Sequence, residues 1–341
     1  MNFRSIASAC LHRSGSSYLV GKSYGKKALT VVNHHRIDEP DAPEFEGFKA
    51  LVSATPDMFE RQLRYLQSRY NIVTGKDVCA FVNGQQELPD NACLITFDDG
   101  YLDNYKNAAP LLAKYRIPAV IFLATSRMQE PEKPLWWDEV AQLIHSSSRR
   151  SARIPLLGLQ KFDTVTQSDQ LCKSLTQIMK QHDADARQQF IAELAEELGK
   201  PTINQSHRFF MNWDEVRSLL DQGIEFHAHT VNHPILSQVD AKAAENEIAQ
   251  SRQTVESETD QSASLFAYPN GQPDDYNATT IDLLVKHKFD AAFTLEAGPH
   301  RQQEVLSAPY EIRRIYLNYK DTWSKFIVKL DGVPRVLERS Y

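Results

Sequence analysis

Short apolar runs alternate with amphipathic helical segments along most of this chain, and that alternation restricts the fold more than any other feature. The runs are Ala28 to Asn33, Cys93 to Phe97, Ala119 to Leu123, Ile224 to Ala228, Leu265 to Tyr268, Ala291 to Thr294 and Ile312 to Leu317. Each is the length of one strand, and most are apolar throughout, as strands buried on both faces are. The helices between them have legible starts. Thr55 caps one with Pro56 at its first position, and Phe59, Leu63, Leu66 and Tyr70 form its apolar face. Asn212 starts another, with Glu215 at capping-box spacing and Gly223 at its end. Asp240 caps a long helix, Asn277 to His287 is helical, and Asp321 is expected to cap the last helix. This pattern predicts an α/β fold with a parallel sheet or barrel, whose chemistry gathers at the C-terminal ends of the strands.

The rhythm breaks between Ser126 and Asn212. We read a helical insertion at about 126–212, loop-like at Ser146 to Ser151 and helical from Leu171 to Leu198. Residues 1–27 read as an N-terminal extension and 28–341 as the body carrying the insertion. Arg4, His12 and Arg13 interrupt the N-terminus before an apolar run accumulates, which makes a poor signal peptide. No stretch approaches the roughly 18 apolar residues of a membrane span. These features predict a cytoplasmic protein with no transmembrane segment. The formal charge of −6 argues against a nucleic-acid partner, which calls for a basic face. Cys10, Cys79, Cys93 and Cys172 form no CxxC pair, so they read as idle thiols, not as a zinc site or a disulfide framework.

Three strand ends carry unusual polar residues. Thr96-Phe97-Asp98-Asp99-Gly100 places two adjacent carboxylates after a buried strand. Asp-Asp-Gly is good turn chemistry, but buried carboxylates are costly unless something neutralises them, and a cation does that well. His229-Thr230-Val231-Asn232-His233 follows another strand. Histidines four apart reach one side of a helical turn, and two histidines with one carboxylate suit a catalytic divalent metal. Phe266-Ala267-Tyr268-Pro269-Asn270-Gly271 ends a third strand in a proline-fixed turn.

TFDDG, then H-T-x-x-H, then F-x-Y-P-x-G, in that order, resembles the polysaccharide deacetylase family, also called the NodB-homology family or carbohydrate esterase family four. Further stretches with the same resemblance are VNHHRI, WWDEV, GIEFHAHTVNHPILS and IRRIYL, so it extends from about Leu29 to Tyr319 around the insertion. The resemblance implies a distorted (β/α) barrel of about seven strands. It implies hydrolysis of an acetyl group on an N-acetylated sugar polymer or precursor, with carbohydrate as the partner. By motif position, Asp98 resembles the general base, and Asp99, His229 and His233 the metal ligands. Zinc suits that set, with cobalt, nickel, manganese or iron as alternatives. Tyr101, Trp137, Pro269 and Asn270 are the residues expected to touch substrate, with a backbone N–H near Asn270 facing the oxyanion.

Two departures from the family pattern call for substitutes. Ala267 stands where many members carry an arginine that orients the catalytic aspartate. Arg314 is the expected replacement, because by position it resembles the arginine that the FAYPxG-type subgroup carries there; alternation along a strand then keeps Arg313 outside. The Leu-x-His motif that supplies the general acid is missing near the C-terminus. His35, in VNHHRI after the first strand, resembles the histidine of a FAYPxG-type subgroup whose barrel is permuted, and it is expected to serve as the acid. A metal-dependent amidase on a small non-sugar amide and a non-catalytic carbohydrate-binding relative remain open alternatives at this point.

Overall fold

The computed structural model describes residues 3–334. Six parallel strands form the body of one sheet: β1 (Ala28–His34), β2 (Ala92–Asp99), β3 (Ala119–Leu123), β4 (Ile224–Ala228), β5 (Leu265–Ala267) and β6 (Ala291–Phe293). They lie side by side in chain order. β7 (Ile315–Tyr316) pairs with the free edge of β1, Val32 opposite Ile315. The sheet curls into a half-barrel of seven strands, and one parallel bridge, Phe293 to Ile312, spans the gap between β6 and the β7 segment. The pairs β1–β2, β2–β3 and β3–β4 carry the longest ladders.

The period-2 alternation of the strands sorts their side chains into two cores. Leu29, Val31, Leu94, Val120, Phe122, Ala267 and Phe293 share one buried cluster inside the curl. Val32, Ile95, Phe97, Ile121, Leu123 and Phe226 share another with the surrounding helices, including Phe59, Leu63 and Leu66 of helix Pro56–Arg69. The N-caps Thr55, Asn212, Asp240 and Asn277 each accept the expected backbone N–H.

Four local expectations need correction. Thr322, not Asp321, caps helix Trp323–Leu330; the Asp321 carboxylate instead holds Lys325 at 2.6 Å and Lys329 at 2.5 Å. Ile312 to Leu317 is not one continuous strand. Its ladder breaks at the arginines, where Arg314 N–H donates to Glu296 O and Arg313 N–H to His300 Nε2. His229 to His233 is a loop, not a helical turn, with Thr230 at φ 69° and His233 at φ 59°. The region read as a helical insertion also contains an antiparallel hairpin, Ser151–Ile154 with Gly158–Lys161. Its exposed side chains alternate with buried Ala152 and Ile154, a period-2 signal too short to stand out in sequence. With helices Trp136–Ser146, Val165–Met179 and Ala184–Glu197, the hairpin builds a separate core around Ile144, Phe162, Leu175 and Leu194.

Candidate active site

β2 delivers two adjacent carboxylates by breaking its own regularity. Leu94, Thr96 and Asp98 point into the curl. Asp99 then takes φ 73° and Gly100 φ 81°, so the chain turns sharply. Gly100 is required there, since a Cβ would meet Leu123 Cδ2 at 2.6 Å as well as being strained. The left-handed Asp99 is costly for a residue with a side chain, a cost found where surrounding structure enforces it.

Asp98 is gripped from several sides. Arg314 Nη1 donates to Oδ1 at 2.7 Å and Nη2 to Oδ2 at 2.8 Å, a fork-to-fork pair. Asn33 Nδ2 adds a bond to Oδ2 at 2.9 Å. Arg314 Nε is itself fixed on Thr294 O at 2.9 Å. Burial alone would raise the Asp98 pKa, but Arg314, with His229 and His35, holds it well below the usual carboxylate range. Arg313 points elsewhere and pairs with Glu296. His35 Nε2 lies 3.9 Å from Asp98 Oδ2. Burial keeps that imidazole below its ordinary pKa, against the opposing pull of Asp99 and Asp98.

Asp99 faces two histidines instead. Its Oδ1 lies 3.4 Å from His229 Nε2 and 3.3 Å from His233 Nε2. Neither carboxylate oxygen has a hydrogen-bond partner, although both are buried. His229 Nδ1 donates to Ala267 O at 2.6 Å, which leaves the Nε2 lone pair directed at the carboxylate. Acceptor facing acceptor in a buried place is unfavourable without a cation between them. The three ligand atoms lie within 4.8 Å of one another, so the set fits a divalent ion. Burial pushes His233 down to about 3, which favours the neutral imidazole that ligation needs.

The loop that aims these histidines is anchored by Glu247, whose carboxylate accepts the N–H groups of Val231 and Asn232 at 2.7 and 2.8 Å. Neither Glu247 nor Asn33 had been singled out from sequence. Glu247 is an isolated polar residue on a helix, and Asn33, although within VNHHRI, carries no mark of the carboxylate 65 residues away that it meets.

A cavity of about 380 Å³ opens over this set. His35, Asp99 and His233 line its floor, Phe48, Trp136, Trp137, Leu295 and Tyr316 its walls, and Asn270 and Gln272 its rim. The insertion contributes Thr176, Gln177 and Lys180, none of them foreseen. Trp137 is almost wholly buried: Nε1 donates to Tyr101 Oη at 2.9 Å, and its ring edge meets His233 at 4.9 Å between centroids. Tyr101 and Pro269, expected at the substrate, are not among the lining residues. Tyr101 is fully buried against Phe210 and donates its hydroxyl to Asp138 Oδ2 at 2.7 Å. Pro269 is buried at the β5 turn, and Asn270, at φ 60°, is the residue exposed to the cavity.

Comparisons with known proteins place the chain in a family and a fold. The family model described as polysaccharide deacetylase matches residues 85–147 and 159–292. The protein YxkH of Bacillus subtilis (strain 168) is 20% identical over 256 residues, covering 75% of this chain and 63% of that protein. A poly-beta-1,6-N-acetyl-D-glucosamine N-deacetylase of Staphylococcus aureus is 26% identical over 151 residues, covering 42% of this chain and 49% of the enzyme. The chain thus spans less than two thirds of the length of these curated relatives. Among solved structures, the Streptococcus pyogenes deacetylase PplD in complex with acetate shares the fold at a TM-score of 0.58 and 16% identity, covering 89% of this chain and 98% of that one. IcaB from Ammonifex degensii does so at 0.53 and 18%, covering 89% and 97%. With the matched model covering more than half of its residues, this chain belongs to the polysaccharide deacetylase family.

Proposed function

We propose that this protein is a metal-dependent hydrolase that removes acetyl groups from N-acetylated sugar units. The observation that carries the reading is a pair of adjacent carboxylates with opposite partners: Asp98, buried, is held by Arg314, and Asp99, on the cavity floor, faces two histidines. Asp99, His229 and His233 would hold the ion, and zinc suits a set of two imidazoles and one carboxylate. A divalent ion in such a site supplies Lewis acidity, polarising the acetyl carbonyl and lowering the pKa of attacking water toward about 7.

The remaining steps belong to the side chains. Asp98, kept ionised by Arg314, accepts the proton that the attacking water gives up. His35 starts neutral, so it becomes an acid only once a proton reaches it, and Asp98 Oδ2 at 3.9 Å is the nearby source. His35 then delivers that proton to the departing amine. The Asn270 backbone N–H faces the developing oxyanion. Trp136 and Tyr316 offer ring faces to a sugar, the common use of aromatic walls in such a pocket. His35 directly follows the first strand, which supports assignment to the permuted FAYPxG-type subgroup.

The test is acetate release from N-acetylglucosamine oligomers, assayed before chelation, after chelation, and after zinc is restored. Release that follows the metal supports the reading. Absence of release with zinc bound, across several N-acetyl sugars, overturns it.

A further inference from the structure

A second cavity, of about 780 Å³, adjoins the catalytic one, and Phe48 and Tyr316 line both. The insertion helix Val165–Met179 borders the pair. Its Thr176 and Gln177 face the catalytic cavity, and its Asp169 and Lys173 face the second. The helix is about 22 Å long, enough to flank several sugar units and not just one ring. The opposite wall is the segment after β7, with Tyr319 and Lys320.

The charge of this trough is opposite to that of the whole chain. Five lysines line it, Lys49, Lys173, Lys320, Lys325 and Lys329, against two aspartates, in a protein of net charge −6. Three of the lysines are already neutralised. Lys49 lies 3.3 Å from Asp41 and 3.7 Å from Asp169, and Asp321 holds Lys325 and Lys329. Lys173 and Lys320 have no carboxylate of the described residues within 4.0 Å, and both are exposed. They stand on the two elements that flank the trough.

Resting on the deacetylase reading, we propose that the trough binds an anionic portion of the substrate, a carboxylate or phosphate carried by the saccharide a few units from the N-acetyl group being cleaved. The shared aromatic border gives ring faces for the connecting sugars, and Lys173 and Lys320 supply cations outside ion-pair distance of any described carboxylate. The enzyme would then select acidic glycans over neutral ones.

The test compares neutral N-acetylglucosamine oligomers with oligomers of equal length that alternate N-acetylglucosamine and glucuronic acid, and with 1-phosphate-terminated oligomers. The two anionic arms distinguish carboxylate from phosphate. Calorimetric binding is measured on the Asp98→Asn protein, and kcat/KM on the wild type. At low salt an anionic arm is expected to bind about tenfold or more tightly than the neutral one, and the preference should shrink as salt screens it. Lys173→Glu with Lys320→Glu should lower the anionic-to-neutral ratio by about tenfold. Equal binding of all three oligomers, or a preference unchanged in the double variant, overturns the proposal. Anionic binding that persists in a protein with no acetate release on any arm overturns the deacetylase reading and leaves the trough standing.

Discussion

Arg314 and Asp98 meet through two parallel hydrogen bonds, 2.7 and 2.8 Å, although 216 residues separate them in the chain and neither reaches solvent. The pair answers the gap left by Ala267. An arginine from the β7 segment reaches the aspartate that the β5 turn does not serve.

Removing that arginine should damage both turnover and stability. Arg314→Ala strands a buried carboxylate, at a cost of about 3–5 kcal/mol. Arg314→Lys keeps the charge without the fork, and misplacement of Asp98 should cost about a hundredfold in kcat. The folded Asp98 pKa lies below its ordinary 3.8, so its contribution to stability is present above that value and lost as pH falls through the folded one. Without Arg314, burial dominates and the acid limb of the kcat/KM profile moves to higher pH. An acid limb that stays in place in the alanine variant counts against this role.

The two aspartates should separate under metal titration. Asp99→Asn removes a ligand and should abolish the rise in melting temperature on adding zinc. Asp98→Asn should keep that rise and lose turnover. At a free metal concentration a hundredfold above Kd, the stabilisation is about 2.7 kcal/mol. Loss of the zinc response in both variants would mean that Asp98 is also a ligand.

His35→Ala should lower kcat by roughly 10² to 10⁴ with metal binding intact, the usual range for acid–base catalysis. Near-normal turnover in that variant would move the acid role to another group.

Much of this site was legible because its chemistry sits in short local strings. TFDDG, the histidine pair and the β5 turn each mark a strand end, and strand ends of a parallel sheet converge. Motif position in IRRIYL singled out Arg314, and the structure places Arg314 on Asp98 and Arg313 on Glu296 even though the ladder breaks there. What escaped depends on partners that no local string marks. Asn33 acts through one bond to Asp98, Glu247 through bonds to the histidine loop, and Gln177 and Lys180 reach the cavity only because the insertion folds over it. Tyr101 misled in the other direction. Its place beside Asp98 and Asp99 suggested substrate contact, but its ring is turned into the core against Phe210.

His34 should set an acid-sensitive step in stability. It is buried between Phe59 and Phe97, and burial pushes its pKa from 6.5 down to about 4. Below pH 6.5 the unfolded chain takes up a proton that the folded one refuses, so stability falls as pH drops from 6.5 toward 4. The full effect is about 3 kcal/mol. His34→Phe removes the group and should flatten that part of a pH series of urea midpoints. An unchanged slope in the variant would assign it to other histidines.

Tyr101→Phe distinguishes a supporting tyrosine from one that touches substrate. The hydroxyl accepts from Trp137 Nε1 and donates to Asp138, whose carboxyl burial pushes up to about 6 against the pull of Arg36. Deleting it strands two buried polar groups, at a cost of about 1–3 kcal/mol. Trp137 lies edge-on to His233, so a loosened indole frees the imidazole to turn. Groups that orient metal ligands typically contribute about 10- to 100-fold in metal affinity. The variant should therefore bind zinc more weakly and melt earlier, with kcat restored by excess zinc and KM near the wild-type value. A raised KM at saturating zinc, with metal affinity unchanged, would instead place Tyr101 against the sugar.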